Sequence, residues 1–356
     1  MTLPTATIRT TPDDFVVEEL PLYEPAGAGS HLYVRFRKRG LETFAVVRTL
    51  AQKLGAPLRE SGTAGLKDRH AVTEQTASFP WAESKPLPEL ASLASEGVEI
   101  LSLARHGNKL RTGHLKGNRF SLVLRDLDEA RVPKVLAAFE RIGTEGIPNW
   151  FGSQRFGRFG DNVEVALAWM RGEKRPPNDP KVRRLHLSAV QSELFHRVLA
   201  RRIEDGTWTT VLTGDLVSPR HTQKTFVCND DPVERERAAR GEQSATGPLF
   251  GVKMRWPEGA TATLEREILG SIPDAEALFA KWSSLGEGAR RALRVVPEGL
   301  HASSENGVPG SVRVVFVLPS GAYATSVVGA VCELRDATRP GPTPPEEQGP
   351  AETEGN

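Results

Sequence analysis

Residues 31–55 read HLYVRFRKRGLETFAVVRTLAQKLG, and their hydrophobic period changes partway along. Over 31–37 the side chains alternate as in a strand, with Leu32, Val34 and Phe36 on one face and Tyr33, Arg35 and Arg37 on the other. The apolar face predicts core. The aromatic and basic face suits an RNA surface or a cross-strand structural role equally. From 43 to 54 the period becomes helical, with Val46, Val47, Leu50, Ala51 and Leu54 in one stripe, Thr43 as its cap and Gly55 as its stop. A strand running into a helix this early marks a mixed α and β architecture.

Residues 119–125 predict a second strand with Phe120, Leu122 and Leu124 on one face, and Asn118 shares their parity. A helix is predicted over 187–202, where Val190, Leu194 and Val198 recur every fourth residue and Arg201 and Arg202 suit its C-terminal end. Stretches 172–181 and 229–247 read as loops, 274–294 as helical and 311–318 as strand. No internal repeat is visible. The order predicts an α+β core whose two halves complete one sheet around an insertion.

Bulk properties fit a globular chain of about two domains: 356 residues, 38% hydrophobic and 26% charged. Cys228 and Cys332 match no zinc spacing and no disulfide framework, which predicts a reducing, cytoplasmic setting. The first residues lack an apolar signal region, and no stretch is long enough to span a bilayer. The net charge of +1 conceals an acidic end: Glu346, Glu347, Glu352 and Glu354 fall in 340–356 with no Lys or Arg, so the rest carries +5. That Pro- and Glu-rich tail, 338–356, predicts disorder. Between Ile100 and Arg125 lie Arg105, Lys109, Arg111, Lys116, Arg119 and Arg125 without an acid. Such a run is a solvated face or a phosphate-binding one.

Three clusters are candidates for chemistry. AGLKDRHAVTEQ at 64–75 reads as a charged loop in which Asp68, between Lys67 and Arg69, should stay ionised and can act as a nucleophile. KLRTGHLKGNRF at 109–120 offers cations for phosphates, glycines for close approach and Asn118 for a base edge. Phe120 is either a stacking ring or core. PNWFGSQRFGRFG at 148–160 interleaves aromatics, glycines and arginines, as an RNA contact or an aromatic-packed domain junction would. The spacing of the histidines supports no metal site, and no dinucleotide or Walker motif is present.

All three clusters resemble signature motifs of the TruD family of tRNA pseudouridine synthases. TPDDFVVEE (11–19), GSHLYVRFRK (29–38), SAVQSELFHRVLARR (188–202) and LPSGAYATSVV (318–328) match in the same order, so the resemblance runs from about residue 9 to 328. It implies a pseudouridine-synthase catalytic domain, 1–145 plus 296–337, with a mixed, mostly antiparallel sheet. An inserted α/β TRUD domain, 146–295, would interrupt it. It implies isomerisation of uridine-13 in the D-arm of tRNA, without cofactor or metal, by a monomer. Asp68 falls on the catalytic aspartate. Phe15, Asn118, Phe120 and Tyr323 fall on substrate-contacting positions, although the family often has Phe where Tyr323 stands. Trp150 replaces a more usual Tyr. Arg9 sits where relatives have Lys and is expected beside the aspartate. Arg9, Lys67, Arg69, Arg111, Lys116 and Arg155 are the candidate RNA contacts. The residues leave three routes open for Asp68: attack on C1′, attack on C6, or removal of the 2′ proton.

Two other readings compete. A non-catalytic RNA-binding protein on the same scaffold would have lost the aspartate loop. A glycoside hydrolase would pair Asp68 with Glu18, Glu19 or Glu74 and release free base.

Overall fold

The computed structural model describes residues 2–338 except Arg158, His221, Gln223 and Asp230. The acidic tail read from the sequence therefore lies outside the described residues, apart from Thr338.

An eight-stranded sheet forms the centre. Its order is Glu298–Ser304, Val312–Pro319, Leu115–Leu124, Phe15–Pro21, Val72–Pro80, His31–Arg39 and Val98–His106, with the short strand Gly62–Thr63 also paired to Val72–Pro80. Every pairing is antiparallel except that between Phe15–Pro21 and Val72–Pro80. The sheet thus has the mixed, mostly antiparallel character expected. Two clusters cover it. Helix Thr43–Leu54 lays Val46, Val47, Leu50, Ala51 and Leu54 on Leu32, Val34, Phe36 and Phe79. Helix Val132–Glu145 packs Val135, Phe139 and Ile142 with Phe120, Leu122, Leu124 and Phe316.

The other face of His31–Arg39 takes the structural alternative. Tyr33 is buried beside Leu110 and Leu115, while Arg35 pairs with Glu18 and Glu74. Arg37 pairs with Glu74 and Glu99. Gly55 ends the helix as predicted, in the left-handed region at φ 64°. Thr43 is not the cap. Glu42 takes that position, and Thr43 is buried one residue inside the helix with its hydroxyl turned to another task.

Residues between Ile147 and Val295 form a second assembly. Its antiparallel sheet runs Phe226–Val227, Leu216–Pro219, Gln243–Leu249 and Ala289–Ala292. The 25-residue helix Pro180–Glu204 packs on it, longer than the predicted 187–202 because Asp179 caps it and Pro180 occupies its first position. Chain entry and exit meet where Ile147 pairs with Val295 and Pro148 with Arg294.

Two segments differ from expectation. Residues 229–247 hold helix Pro232–Ala239 and the start of a strand, because Asp231 accepts from the Val233 amide at a polar helix that buries only Ala238. Residues 274–294 hold the α-helix Ala275–Lys281 and the 3-10 turn Ser283–Leu285 before strand Ala289–Ala292. Gly288, at φ 93°, leads into that strand, and a side chain there would strike the Gly251 backbone at 2.8 Å.

Residues Thr5–Ile8 pair in parallel with Glu333–Asp336. The two ends of the described chain therefore meet.

Candidate active site

The loop 64–71 joins the short strand Gly62–Thr63 to the central strand Val72–Pro80. It leaves Gly62, where a Cβ would lie 2.0 Å from the Leu110 carbonyl, so the basic segment can lie directly against it. The Gly113 amide then donates to the Ala64 carbonyl at 2.8 Å. Further along, the Lys67 amide donates to Thr43 Oγ1 at 3.1 Å, and the Gly40 amide to the Ala71 carbonyl at 3.2 Å. Lys38 Nζ donates to the Asp68 carbonyl at 2.7 Å. Gln75 Nε2 bonds Thr43 Oγ1 and Thr73 Oγ1 from beneath. A loop rich in charge is thus anchored through its backbone by buried polar side chains. Lys38 is fully buried, and burial pushes its pKa down to about 8, against the opposing pull of the Asp68 charge.

The Asp68 side chain stays 42% exposed. Its Oδ2 accepts from Arg9 Nη2 at 2.5 Å, and its Oδ1 has no partner among the described residues. Arg9 Nη1 donates to Asp336 Oδ2 at 2.8 Å, and the Arg9 guanidinium lies 4.0 Å over the Phe15 ring. Arg9 adopts φ 60°, a conformation costing a non-glycine residue roughly 1–3 kcal/mol that its contacts must offset. Phe15 meets Phe120 edge-on at 6.5 Å, and Phe120 lies 5.5 Å from Phe316. The carboxylate is therefore tied through one guanidinium to the rings at 15 and 120. A second tie runs from Lys67, whose Nζ is 2.9 Å from Glu19 Oε2, to Glu19, which faces Asn118 across the strand pair.

The predicted residues fall into three groups. Asp68, Arg9, Phe15 and Phe120 are joined by the contacts just described. Phe15 and Phe120 are only 4% and 7% exposed, so they form a floor and offer no free stacking face. Asn118 is half-buried at the start of its strand, with Oδ1 buried and unpartnered among the described residues. Tyr323 lies apart from these contacts, packed against the cluster of Phe151, Phe195 and Leu293 in the second assembly. Arg291 braces that seam by donating to the Gly321 carbonyl at 3.2 Å and to Asn149 Oδ1 at 2.5 Å.

Among the expected RNA contacts, Arg69, Arg111 and Lys116 are exposed and make no ion pair with the described residues. Three others turn inward. Lys67 spends its charge on Glu19, the two side chains being 7% and 5% exposed. Arg9 is held between two carboxylates, and Arg155 donates to Ser188 Oγ at 3.0 Å beside the Phe151 ring.

Lys38, Glu19 and Asp336 are site residues that sequence reasoning missed. Lys38 had left a signal, since it shares parity with Leu32, Val34 and Phe36 on the core-facing side of its strand. Glu19 stood only as a rival second carboxylate. Asp336, 327 residues from Arg9, left none. Among the described residues, no three His, Cys, Asp or Glu side chains gather to hold a metal, and no helix is long and apolar enough to cross a membrane.

An anchored, half-exposed carboxylate gripped by a guanidinium that lies over an aromatic ring, with exposed cations that make no ion pair among the described residues, is an arrangement suited to carboxylate chemistry on an anionic polymer. The family model described as tRNA pseudouridine synthase D (TruD) matches residues 4–175 and 178–330. The tRNA pseudouridine synthase D of Anaeromyxobacter sp. (strain Fw109-5) is 43% identical over 326 residues, covering 90% of each chain. That of Thermus thermophilus is 37% identical over 344 residues, covering 96% of this chain and 93% of its own. A solved structure described as the putative tRNA pseudouridine synthase D (TruD) from Methanosarcina mazei shares the fold, with a TM-score of 0.73 at 21% identity over 93% and 94% of the two chains. The chain belongs to the TruD family of tRNA pseudouridine synthases, enzymes of the isomerase class.

Proposed function

We propose that this chain converts uridine-13 in the D-arm of tRNA to pseudouridine, with Asp68 as the catalytic carboxylate and no cofactor. The observation that carries the reading is the Asp68 carboxylate itself. It is half-exposed on an anchored loop, held through one oxygen and open at the other. The reaction breaks the bond between N1 and C1′, turns the uracil and joins C5 to C1′. The C5 proton leaves and N1 gains one, so the atoms balance without an added reagent. The target base must leave its stack, at a cost of about a few kcal/mol. Asn118, with an amide oxygen that lacks a donor, is suited to receive an N–H of the base; Phe15 and Phe120 line the floor and Tyr323 the seam. Arg69, Arg111 and Lys116 suit the phosphates.

We divide the chain as 1–145 with 296–337 for catalysis and 146–295 as an inserted TRUD domain. Supporting that division, no strand of the eight-stranded sheet comes from 146–297, and the insertion's ends pair at Ile147 and Val295.

Carbodiimide primer extension on a D-arm tRNA transcript tests the reading. The wild-type chain should produce a stop at position 13. Asp68→Asn should lose activity by roughly 10³-fold or more while tRNA affinity stays within about twofold. Full turnover by that variant, or a stop at another uridine only, refutes it.

A further inference from the structure

Arg9 is a fork with two carboxylates on its prongs. Nη2 meets Asp68 Oδ2 at 2.5 Å and Nη1 meets Asp336 Oδ2 at 2.8 Å. An arginine facing one carboxylate prefers to chelate it, with two parallel N–H donors on its two oxygens. Chelation of Asp68 would occupy both of its oxygens and leave neither for a substrate. Here Asp336 takes Nη1, which rules out chelation through Nη1 and Nη2; Arg9 Nε is buried and meets no acceptor among the described residues, and Asp68 Oδ1 is bare among them.

Asp336 is built to hold that prong. Its Oδ1 accepts from Thr338 N at 3.1 Å and from Thr338 Oγ1 at 2.7 Å, and its Oδ2 accepts from Arg9. Its backbone is in register with Ile8, the residue before Arg9, and the Ala337 amide donates to the Ile8 carbonyl at 3.0 Å. The Phe15 ring beneath the guanidinium limits its rotation.

We infer that Asp336 is a positioning residue of the active site: it keeps Arg9 to a single hydrogen bond on Asp68 and so frees Asp68 Oδ1 for the substrate. The inference rests on Asp68 being the catalytic carboxylate. It requires Asp336 to act through Arg9, and an arginine to be harmful once Asp336 is gone. A lysine at position 9 offers one compact ammonium without the planar fork, so it is the replacement that loses least from removal of Asp336.

The experiment measures kcat and KM on a D-arm tRNA transcript for wild type, Asp336→Ala, Arg9→Lys and the double variant. Asp336→Ala should lower kcat by about 30-fold with KM within about twofold, because a group that acts only in the reacting complex affects kcat alone. Arg9→Lys should lower kcat by less than about tenfold. The double variant should be faster than Asp336→Ala by about fivefold or more, a reversal that independent structural damage does not produce. If Asp336→Ala fails to melt cooperatively, the isosteric Asp336→Asn, which can still accept from Thr338, carries the same comparison with a smaller loss. The inference is overturned by an Asp336 variant with wild-type kcat, by a loss confined to KM, or by a double variant no faster than the single. Failure of the functional reading looks different: wild type is inactive on tRNA, or Asp68→Asn is active.

Discussion

Lys38 takes the fourth inward position of a strand whose first three are Leu32, Val34 and Phe36, and no part of it meets solvent. Its ammonium bonds the carbonyl of Asp68, so it fixes the backbone that carries the carboxylate. Lys38→Met removes that donor and also removes the burial of a charge. Steady-state kinetics should show kcat reduced by about tenfold with KM little changed, an effect worth ~1.4 kcal/mol. Thermal melting at pH 7 should show no loss of stability. The pH dependence follows from the same group. Its folded pKa is about 8 against 10.5 in the open chain, so between those values the unfolded state binds more protons. Stability contributed by Lys38 therefore rises from pH 8 to 10.5, and Lys38→Met should flatten that rise in a melting series. The segments around Asp68 and Asn118 stand out in the sequence because their neighbours spell motifs. Lys38, Glu19 and Asp336 were not, because what defines them is a partner 30 or more residues away.

At the scale of elements, helix Thr43–Leu54 and its stop at Gly55 could be read directly, since the apolar stripe and the glycine are local features. Helix Pro232–Ala239 could not, because it buries one alanine and leaves no stripe. The long helix Pro180–Glu204 carries a prediction of its own. His196 on that helix accepts from the Phe151 amide at 2.8 Å through Nε2, which requires a neutral ring at that nitrogen. Rings of Trp150, Phe151 and Phe156 surround it, and burial pushes its pKa down to about 4, opposed by Glu193 and assisted by Arg291. Between pH 4 and 6.5 the unfolded chain binds the proton and the folded chain does not, so stability falls as the pH drops through that window. Melting temperatures from pH 4 to 7 should fall less steeply in His196→Gln than in wild type. Equal slopes would remove this histidine from the acid response.

For the whole molecule, the exposed cations Arg69, Arg111 and Lys116 fall on or near the Asp68 loop because the Gly113 amide binds Ala64 and the basic segment lies on Gly62. A tRNA bound there displaces counterions. Lys116→Ala and Arg111→Ala should each weaken binding and reduce the slope of log affinity against log salt by about 1 or slightly less. Binding titrations over a range of KCl concentrations measure it, and a slope equal to wild type in both variants would place the phosphates elsewhere. The sequence indicated that a middle region interrupts the core, through the order of its elements. It could not show how the interruption is closed, because the Ile147–Val295 pairing and the Arg291 brace join residues far apart.

The pairing of Thr5–Ile8 with Glu333–Asp336 also bears on timing. Arg9 and Asp336 are 327 residues apart. At about 5–20 residues per second, a ribosome releases the second roughly 16–65 s after the first. Asp68 and its arginine thus emerge early and wait as an unfinished clasp for the strand that restrains it. Until that strand is made, Arg9 lacks the Asp336 carboxylate, and the clasp consists of Arg9 and Asp68 alone.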